Sequence, residues 1–285
     1  MKFGSLIDYG LFSSDIAKSV LSPLLMKNKR RQYGFLESPA TNIFTGEIAY
    51  KVFVCGKTGS GKSTTIANAS GRFGLVSSGE TTGIQVTTVY WPVLINETKA
   101  AVLFKISFWD VGESVLNSYN HIRPSCLEEV DCLIYTFSMV NKSMWEDLPK
   151  LITRTDATDS VLQIALGTKM DLVKNDKSSV SQKMFDDFEE VWKFPVLSHS
   201  NDIEHDATSG DFTDCFEKSA SFMNPLCELL WYRDQVKVGL IPKTQIDFCF
   251  TSKNKLQKDS SRESHERSNS NNSNNSQRGT KVTFC

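Results

Sequence analysis

Apolar and polar positions along the chain fall into a repeating alternation of strand-like and helix-like stretches that begins near Glu47. Runs rich in β-branched and aromatic residues occur at AYKVFVCG, VTTVYWPVLI, AVLFKISFWD, DCLIYTFSM, VLQIALGTKMD and FPVLSHS, and such runs read as strands. Most are separated by stretches long enough for a helix, which predicts a mostly parallel sheet with helices on both faces. The second and third runs are divided only by NETKA, so these two are expected to pair as an antiparallel hairpin. The predicted fold is therefore α/β: a mostly parallel six-stranded sheet with one antiparallel edge. The last amphipathic stretch, DFTDCFEKSASFMNPLCELLWYRDQVKVG, carries apolar residues at Phe212, Phe216, Phe222, Leu226, Leu229 and Leu230 and predicts a closing helix. Pro225 lies inside it, where a proline kinks a helix.

Outside this region the alternation is lost. Residues 1–46 mix short apolar patches, such as DIAKSVLSPLLM, with a basic cluster at Lys27, Lys29, Arg30 and Arg31. They read as an N-terminal extension whose apolar face docks back on the domain or meets a partner or membrane surface. Residues 47–250 form the predicted domain. Residues 251–285 hold eight serines and six asparagines, too polar to build a core, and are expected to be a disordered tail.

Composition narrows the class. Forty per cent hydrophobic residues in a chain of 285 supply one full domain with tails to spare. A formal net charge of −1 leaves no overall electrostatic footprint for nucleic acid, which is not an expected partner. The seven cysteines are odd in number and widely spaced, favouring reduced core thiols in the cytosol over disulfides or zinc. No signal-type apolar stretch opens the chain, and no run approaches the roughly 18 residues of a membrane span. A soluble, cytoplasmic protein is expected. Lys2 stands where myristoylation requires glycine and the terminal VTFC is no prenylation box, although Cys285 as final residue leaves lipidation open.

The strongest chemical signal is Gly56-Lys57-Thr58-Gly59-Ser60-Gly61-Lys62-Ser63, a complete G-x-x-x-x-G-K-[ST] string between the strand KVFVC and the helical stretch STTIANAS. In that context the glycines let backbone N–H groups and a helix N-terminus face negative charge. Thr58, Gly59, Ser60, Gly61, Lys62, Ser63 and Thr64 are the predicted phosphate-binding residues, with Lys62 bridging the β- and γ-phosphates and Ser63 ligating Mg²⁺. Asp110 ends the run AVLFKISFW, where a carboxylate at a strand's carboxyl end can hold the metal's shell. Thr168-Lys169-Met170-Asp171 follows the strand VLQIALG. Asp171 can accept from the guanine N1–H and N2–H₂, which adenine lacks, while the Lys169 stem can cover the purine face.

In this order, GKTGSGKST, the aspartate of FWDVGES, and TKMD resemble the Ras superfamily of small GTPases. The resemblance implies a P-loop small-GTPase fold with GTP or GDP and Mg²⁺ as cofactors. It also implies that Thr81, 19 residues beyond Lys62 in Thr81-Thr82-Gly83-Ile84, is a switch threonine closing on the metal. The longer strings ETTGIQVTTVYWPV, FWDVGES and LWYRDQVKVGLIP are similar to Rab-like small GTPases of the ciliogenesis and planar polarity effector complex, over about residues 35–245. What that likeness implies is a role in ciliogenesis and directed membrane traffic at the basal body, with the Fuzzy and Inturned subunits as protein partners; peripheral membrane contact is left open by the N-terminal segment and the mildly basic tail.

Departures from the superfamily pattern bear on activity. Where small GTPases carry D-x-x-G-Q, this chain reads Asp110-Val111-Gly112-Glu113-Ser114. Either one residue is deleted or Glu113 replaces the glycine. In both alignments Glu113 and Ser114 occupy the region of the water-orienting glutamine, no catalytic residue is assigned, and hydrolysis is expected to be slow or absent. Thr168 replaces the usual asparagine, and Ser198-His199-Ser200 is too unlike the usual loop behind the base to assign. His121, His199, His205 and His265 lack metal spacing. Three readings stand: a nucleotide switch, a permanently GTP-bound adaptor, and a P-loop ATPase, the last disfavoured by TKMD and by the absence of an L-S-G-G-Q-like signature.

Overall fold

The structure is a computed structural model that describes residues 3–10, 44–72, 79–118, 122–155, 157–158, 160–173, 179–202 and 213–242. The apolar patch at 15–26, the basic cluster after it, the tail at 251–285, Cys285, His121, His205 and His265 lie outside the described residues, as do the side chains of Phe212 and Phe216. The strands and helices all belong to the unit Gly4–Thr244.

Six strands form one sheet: β1 (Gly46–Gly56), β2 (Ile84–Leu94), β3 (Ala101–Val111), β4 (Cys132–Ser138), β5 (Leu162–Thr168) and β6 (Val196–Ser198), in the order β2-β3-β1-β4-β5-β6. β1 pairs parallel with β3 and β4, and β4-β5 and β5-β6 are also parallel. β2 and β3 pair antiparallel from Ile84↔Val111 to Leu94↔Ala101, as the short NETKA connection requires. β2 lies at the edge, where Pro92, having no N–H to donate, is tolerated. All seven residues of β4 are buried, the signature of a parallel strand covered on both faces. The six expected strands are thus present, and the sheet is mixed in the expected way. The FPVLSHS run contributes only three residues of strand.

Helices cover both faces. They are α1 (Lys62–Ala69), α2 (Glu113–Ser118), α3 (Ile122–Leu127), α4 (Lys142–Glu146), α5 (Leu148–Thr155), α6 (Gln182–Trp192) and α7 (Thr213–Val238), with a 3₁₀ turn at Met170–Leu172. Because strand side chains alternate, Phe53, Cys55, Leu133, Tyr135 and Phe137 point to one face and pack with Trp145, Leu148, Ile152, Phe185 and Phe188 of α4 to α6. Phe137, Trp145, Phe185 and Phe188 form a chain of edge-on and tilted rings 4.9 to 6.1 Å apart. The opposite face is covered by α1 and α7, which contact each other. Phe222, Leu226, Leu229 and Leu230 of α7 are all buried, as their spacing predicts. α7 runs on through Pro225, and the neighbouring Asn224 accepts a hydrogen bond from Trp91 Nε1 at 2.9 Å.

Residues 4–10 also belong to this unit. Ile7, inside the segment read as an extension, bridges antiparallel to Ile95 and is 2% exposed. Glu228 of α7, itself buried, accepts from the Gly4 N–H (2.7 Å), the Leu6 N–H (2.8 Å) and the Tyr9 hydroxyl. Cys55, Cys126, Cys132 and Cys227 are free and buried. Among the described residues, no helix is long and apolar enough to cross a membrane.

Candidate functional site

Gly56, Asp110 and Thr168 stand at the carboxyl ends of β1, β3 and β5. This is the edge of a parallel α/β sheet where ligands bind, because loops there are free to converge while strands fix their roots. The loop from Gly56 to Gly61 feeds directly into α1. Gly59 and Gly61 adopt φ of 78° and 96°, a region that suits glycine. A side chain at Gly61 would also run into Thr168 Oγ1 at 2.9 Å, and one at Gly56 into the Thr136 carbonyl at 2.2 Å. The glycines of the string are therefore required by conformation and by close approach.

Lys62 is only 7% exposed. Its ammonium donates to the carbonyls of Gly56 (2.9 Å) and Lys57 (3.1 Å), which curl the loop around it. Burial pushes its pKa down, opposed first by the Asp110 carboxylate. Ser63 Oγ donates to Asp110 Oδ2, Thr81 Oγ1 donates to the same oxygen at 3.1 Å, and the two hydroxyls are 3.0 Å apart. Three residues drawn from α1, the loop before β2, and the end of β3 thus meet at one point, and they are the three assigned to metal by sequence. Asp110 Oδ1 and Ser60 Oγ are buried without a hydrogen-bond partner. A buried carboxylate oxygen lacking a donor is costly, so this spot suits a cation. One carboxylate with two hydroxyls is a hard-oxygen donor set of the kind Mg²⁺ prefers, too small to fill its shell without phosphate oxygens or water. Among the described residues there is no cluster of three His, Cys, Asp or Glu able to hold a metal.

A cavity of about 280 Å³ beside this cluster is lined by Thr58, Gly59, Gly61, Lys62, Ser63 and Thr64, with Glu80, Thr81, Gly112 and Lys169 across from them. Lys169, held at a left-handed φ of 58°, donates to the Gly59 carbonyl at 3.0 Å. Asp171 does not line this cavity; its Oδ1 accepts from Ser200 Oγ at 2.6 Å. Thr168 Oγ1 donates to the Ser60 carbonyl at 2.5 Å, tying β5 to the loop. Asn201 secures the same region, exchanging hydrogen bonds with Thr65 and accepting at its carbonyl from Asn68 Nδ2 at 3.1 Å. Burial pushes the His199 imidazole down to about 4, and its Nδ1 lies 3.2 Å from Ser221 Oγ.

Around Asp110-Val111-Gly112-Glu113-Ser114, Gly112 is the residue that meets the Thr81 loop: a Cβ there would lie 2.2 Å from the Thr81 carbonyl. Glu113 opens α2, and its carboxylate accepts from the Thr58 N–H at 3.1 Å. The Ser114 N–H donates to Glu80 Oε1 at 2.8 Å, holding the Glu80 carboxyl below its usual range. The roles of Asn201, Ser200 and Glu80 as ties between loops carry no motif. Only their nearness to the assigned residues in the chain hinted at them.

No family model matches the chain. It is, however, similar along most of its length to curated proteins named Ciliogenesis and planar polarity effector 2. It is 38% identical to the Xenopus laevis protein over 227 residues, covering 78% of this chain and 90% of that one. Identity to the Mus musculus protein is 33% over 233 residues, covering 80% and 90%, and to the Homo sapiens protein 32% over 245 residues, covering 84% and 94%. At that identity and coverage, the chain belongs to the ciliogenesis and planar polarity effector 2 family.

Proposed function

We propose that this protein is a guanine-nucleotide-binding switch of the small-GTPase type, with a P-loop GTPase fold, that serves cilium biogenesis through protein partners. The observation that carries the reading is the convergence of Ser63, Thr81 and Asp110 within about 3 Å of one another beside the Gly56–Ser63 loop. Two hydroxyls from segments distant in sequence meet one buried carboxylate whose other oxygen has no donor, an arrangement that a cation would complete. In this reading the loop amides and Lys62 hold the β- and γ-phosphates. Ser63, Thr81 and Asp110 would hold Mg²⁺, which when bound neutralises phosphate charge. Lys169 covers the purine, and Asp171, oriented by Ser200, selects guanine. Thr81 and Gly112 sit on the two loops that would respond to a γ-phosphate, and such loops present different surfaces to a partner in the two nucleotide states.

Glu113 favours a version of this reading in which the protein cycles little. Its carboxylate accepts from Thr58 of the phosphate loop, and neither it nor Ser114 can supply the amide that orients an attacking water. A nucleotide-bound adaptor with slow or absent hydrolysis is the natural second reading. The family name supports a place among planar polarity effectors; Fuzzy and Inturned are the proposed partners, and the cytoplasm at the ciliary basal body, with peripheral membrane contact, the proposed location.

The test is nucleotide content and single-turnover hydrolysis on the purified protein, with Lys62→Ala and Asp171→Asn alongside. Bound guanine nucleotide that both variants lose supports the assignment, and its turnover rate separates switch from adaptor. ATP binding indifferent to Asp171→Asn would sink the guanine reading.

A further inference from the structure

Three consecutive carbonyls of the Gly56–Ser63 loop are held from the β5 and β6 side of the sheet. Lys169 Nζ donates to the Gly59 carbonyl at 3.0 Å, Thr168 Oγ1 to the Ser60 carbonyl at 2.5 Å, and Asn201 Nδ2 lies 3.5 Å from the Gly61 carbonyl. Asn201 reaches that last carbonyl by a relay as well: its Nδ2 donates to Thr65 Oγ1 at 3.0 Å, and the Thr65 hydroxyl donates to Gly61 at 3.0 Å. Thr65 is 3% exposed, so the relay is shielded from water. Asn201 is anchored independently of its own amide. Its carbonyl accepts from Asn68 Nδ2 at 3.1 Å, the Asn68 carbonyl accepts from Ser219 of α7 at 3.2 Å, and Lys218 of α7 holds the neighbouring Asp202 carbonyl at 3.1 Å. The preceding Ser200 donates to Asp171 at 2.6 Å.

We infer that Asn201 is a positioning residue, whose side-chain amide locks the Gly56–Ser63 loop to the segment that orients Asp171 and so slows release of a bound guanine nucleotide. A planar trans peptide points its N–H opposite to its carbonyl. Holding the Ser60 and Gly61 carbonyls back therefore aims the N–H groups of Gly61 and Lys62 the other way, and both residues line the cavity beside the loop. Asn201 does not line that cavity; it acts through the loop. The consequence for nucleotide rests on the reading proposed above, whereas the tie itself does not. Alanine at 201 leaves the Asn201 carbonyl and the Thr65–Gly61 bond in place, so the substitution removes the amide relay alone.

The experiment compares the full-length wild type with Asn201→Ala, Thr65→Val and the double variant. Amide hydrogen exchange on nucleotide-free protein follows residues Gly59 to Ser63, and stopped flow follows association and dissociation of a fluorescent GDP analogue with Mg²⁺. Asn201→Ala is expected to speed both loop exchange and GDP dissociation about fivefold, the worth of one net hydrogen bond, with the association rate unchanged. Because the two side chains act as one relay, the double variant is expected to be no faster than Asn201→Ala alone. A melting temperature within about 4 °C of wild type checks that the variants fold. Loop exchange unchanged in Asn201→Ala, or effects that multiply in the double variant, overturn the positioning role. Faster exchange with GDP dissociation unchanged overturns its link to nucleotide. A wild type that binds no guanine nucleotide defeats the reading on which that link rests, and loop exchange then decides the tie on its own.

Discussion

Glu113 puts a carboxylate on a backbone amide of the Gly56–Ser63 loop, 3.1 Å from the Thr58 nitrogen, where in the proposed function a third phosphate would bring further negative charge. A half-exposed like charge at that range would oppose a bound triphosphate by on the order of 1 kcal/mol. Glu113→Gln keeps an acceptor for Thr58 and removes the charge. The ratio of GTP to GDP affinity, measured by competition at low salt, is therefore expected to rise about fivefold, with the gain shrinking as ionic strength rises. An unchanged ratio would place the carboxylate out of reach of the phosphates. The same stretch illustrates what a string of letters conveys. That Asp110 stands at the carboxyl end of β3 was readable from the apolar run before it. Whether Gly112 or Glu113 faces Thr81 was not, because that turns on where β3 ends, and only the close approach of Gly112 to the Thr81 carbonyl decides it.

At the scale of elements, the clasp between the chain's first residues and α7 invites a direct measurement. Removing residues 1–10 strips three donors from the buried Glu228. Breaking a buried charge's contacts costs about 3–5 kcal/mol, and at this size each kcal/mol is worth about 2–4 °C. Truncation is expected to lower the melting temperature by on the order of 10 °C. Glu228→Leu should recover much of that loss in the truncated chain, yet destabilise the full one by stranding the Gly4 and Leu6 N–H groups. A truncated protein that melts within about 2 °C of the full chain, the shift expected for less than 1 kcal/mol, would show the clasp to be passive. The strands were legible because β4 is an unbroken apolar run and β2-β3 a hairpin with a five-residue connection. The clasp was not, since Leu6 and Ile7 form a two-residue apolar patch with no periodicity, whose partner lies more than 200 positions away. α7 continues through Pro225, because packing of Phe222, Leu226, Leu229 and Leu230 outweighs one missing backbone bond.

For the whole molecule, a net charge of −1 means that self-repulsion does little to set the pH dependence of folding, so buried groups stand out. Two of them pull in opposite directions. Burial pushes His199 down from 6.5 to about 4, with Asp171 opposing. The unfolded chain therefore takes up a proton below 6.5 that the folded one refuses, and stability falls as pH drops from 6.5 toward 4. Burial pushes Glu189 up from 4.5 to about 7, only partly offset by the Val196 N–H at 2.7 Å. The folded chain then keeps a proton that the unfolded one has lost, and stability falls as pH rises from 4.5 toward 7. Between 4.5 and 6.5 the slopes oppose, one proton each, and the pair leaves stability nearly flat. Glu189→Gln retains an acceptor for Val196 but no longer titrates, which unmasks the histidine. Denaturant unfolding at pH 4.5 and 6.5 is expected to show the variant losing about 2 kcal/mol more than wild type on acidification, whereas His199→Gln should gain about that much. Parallel curves for all three proteins would mean that these two groups exchange protons with water in the folded state as freely as in the unfolded one.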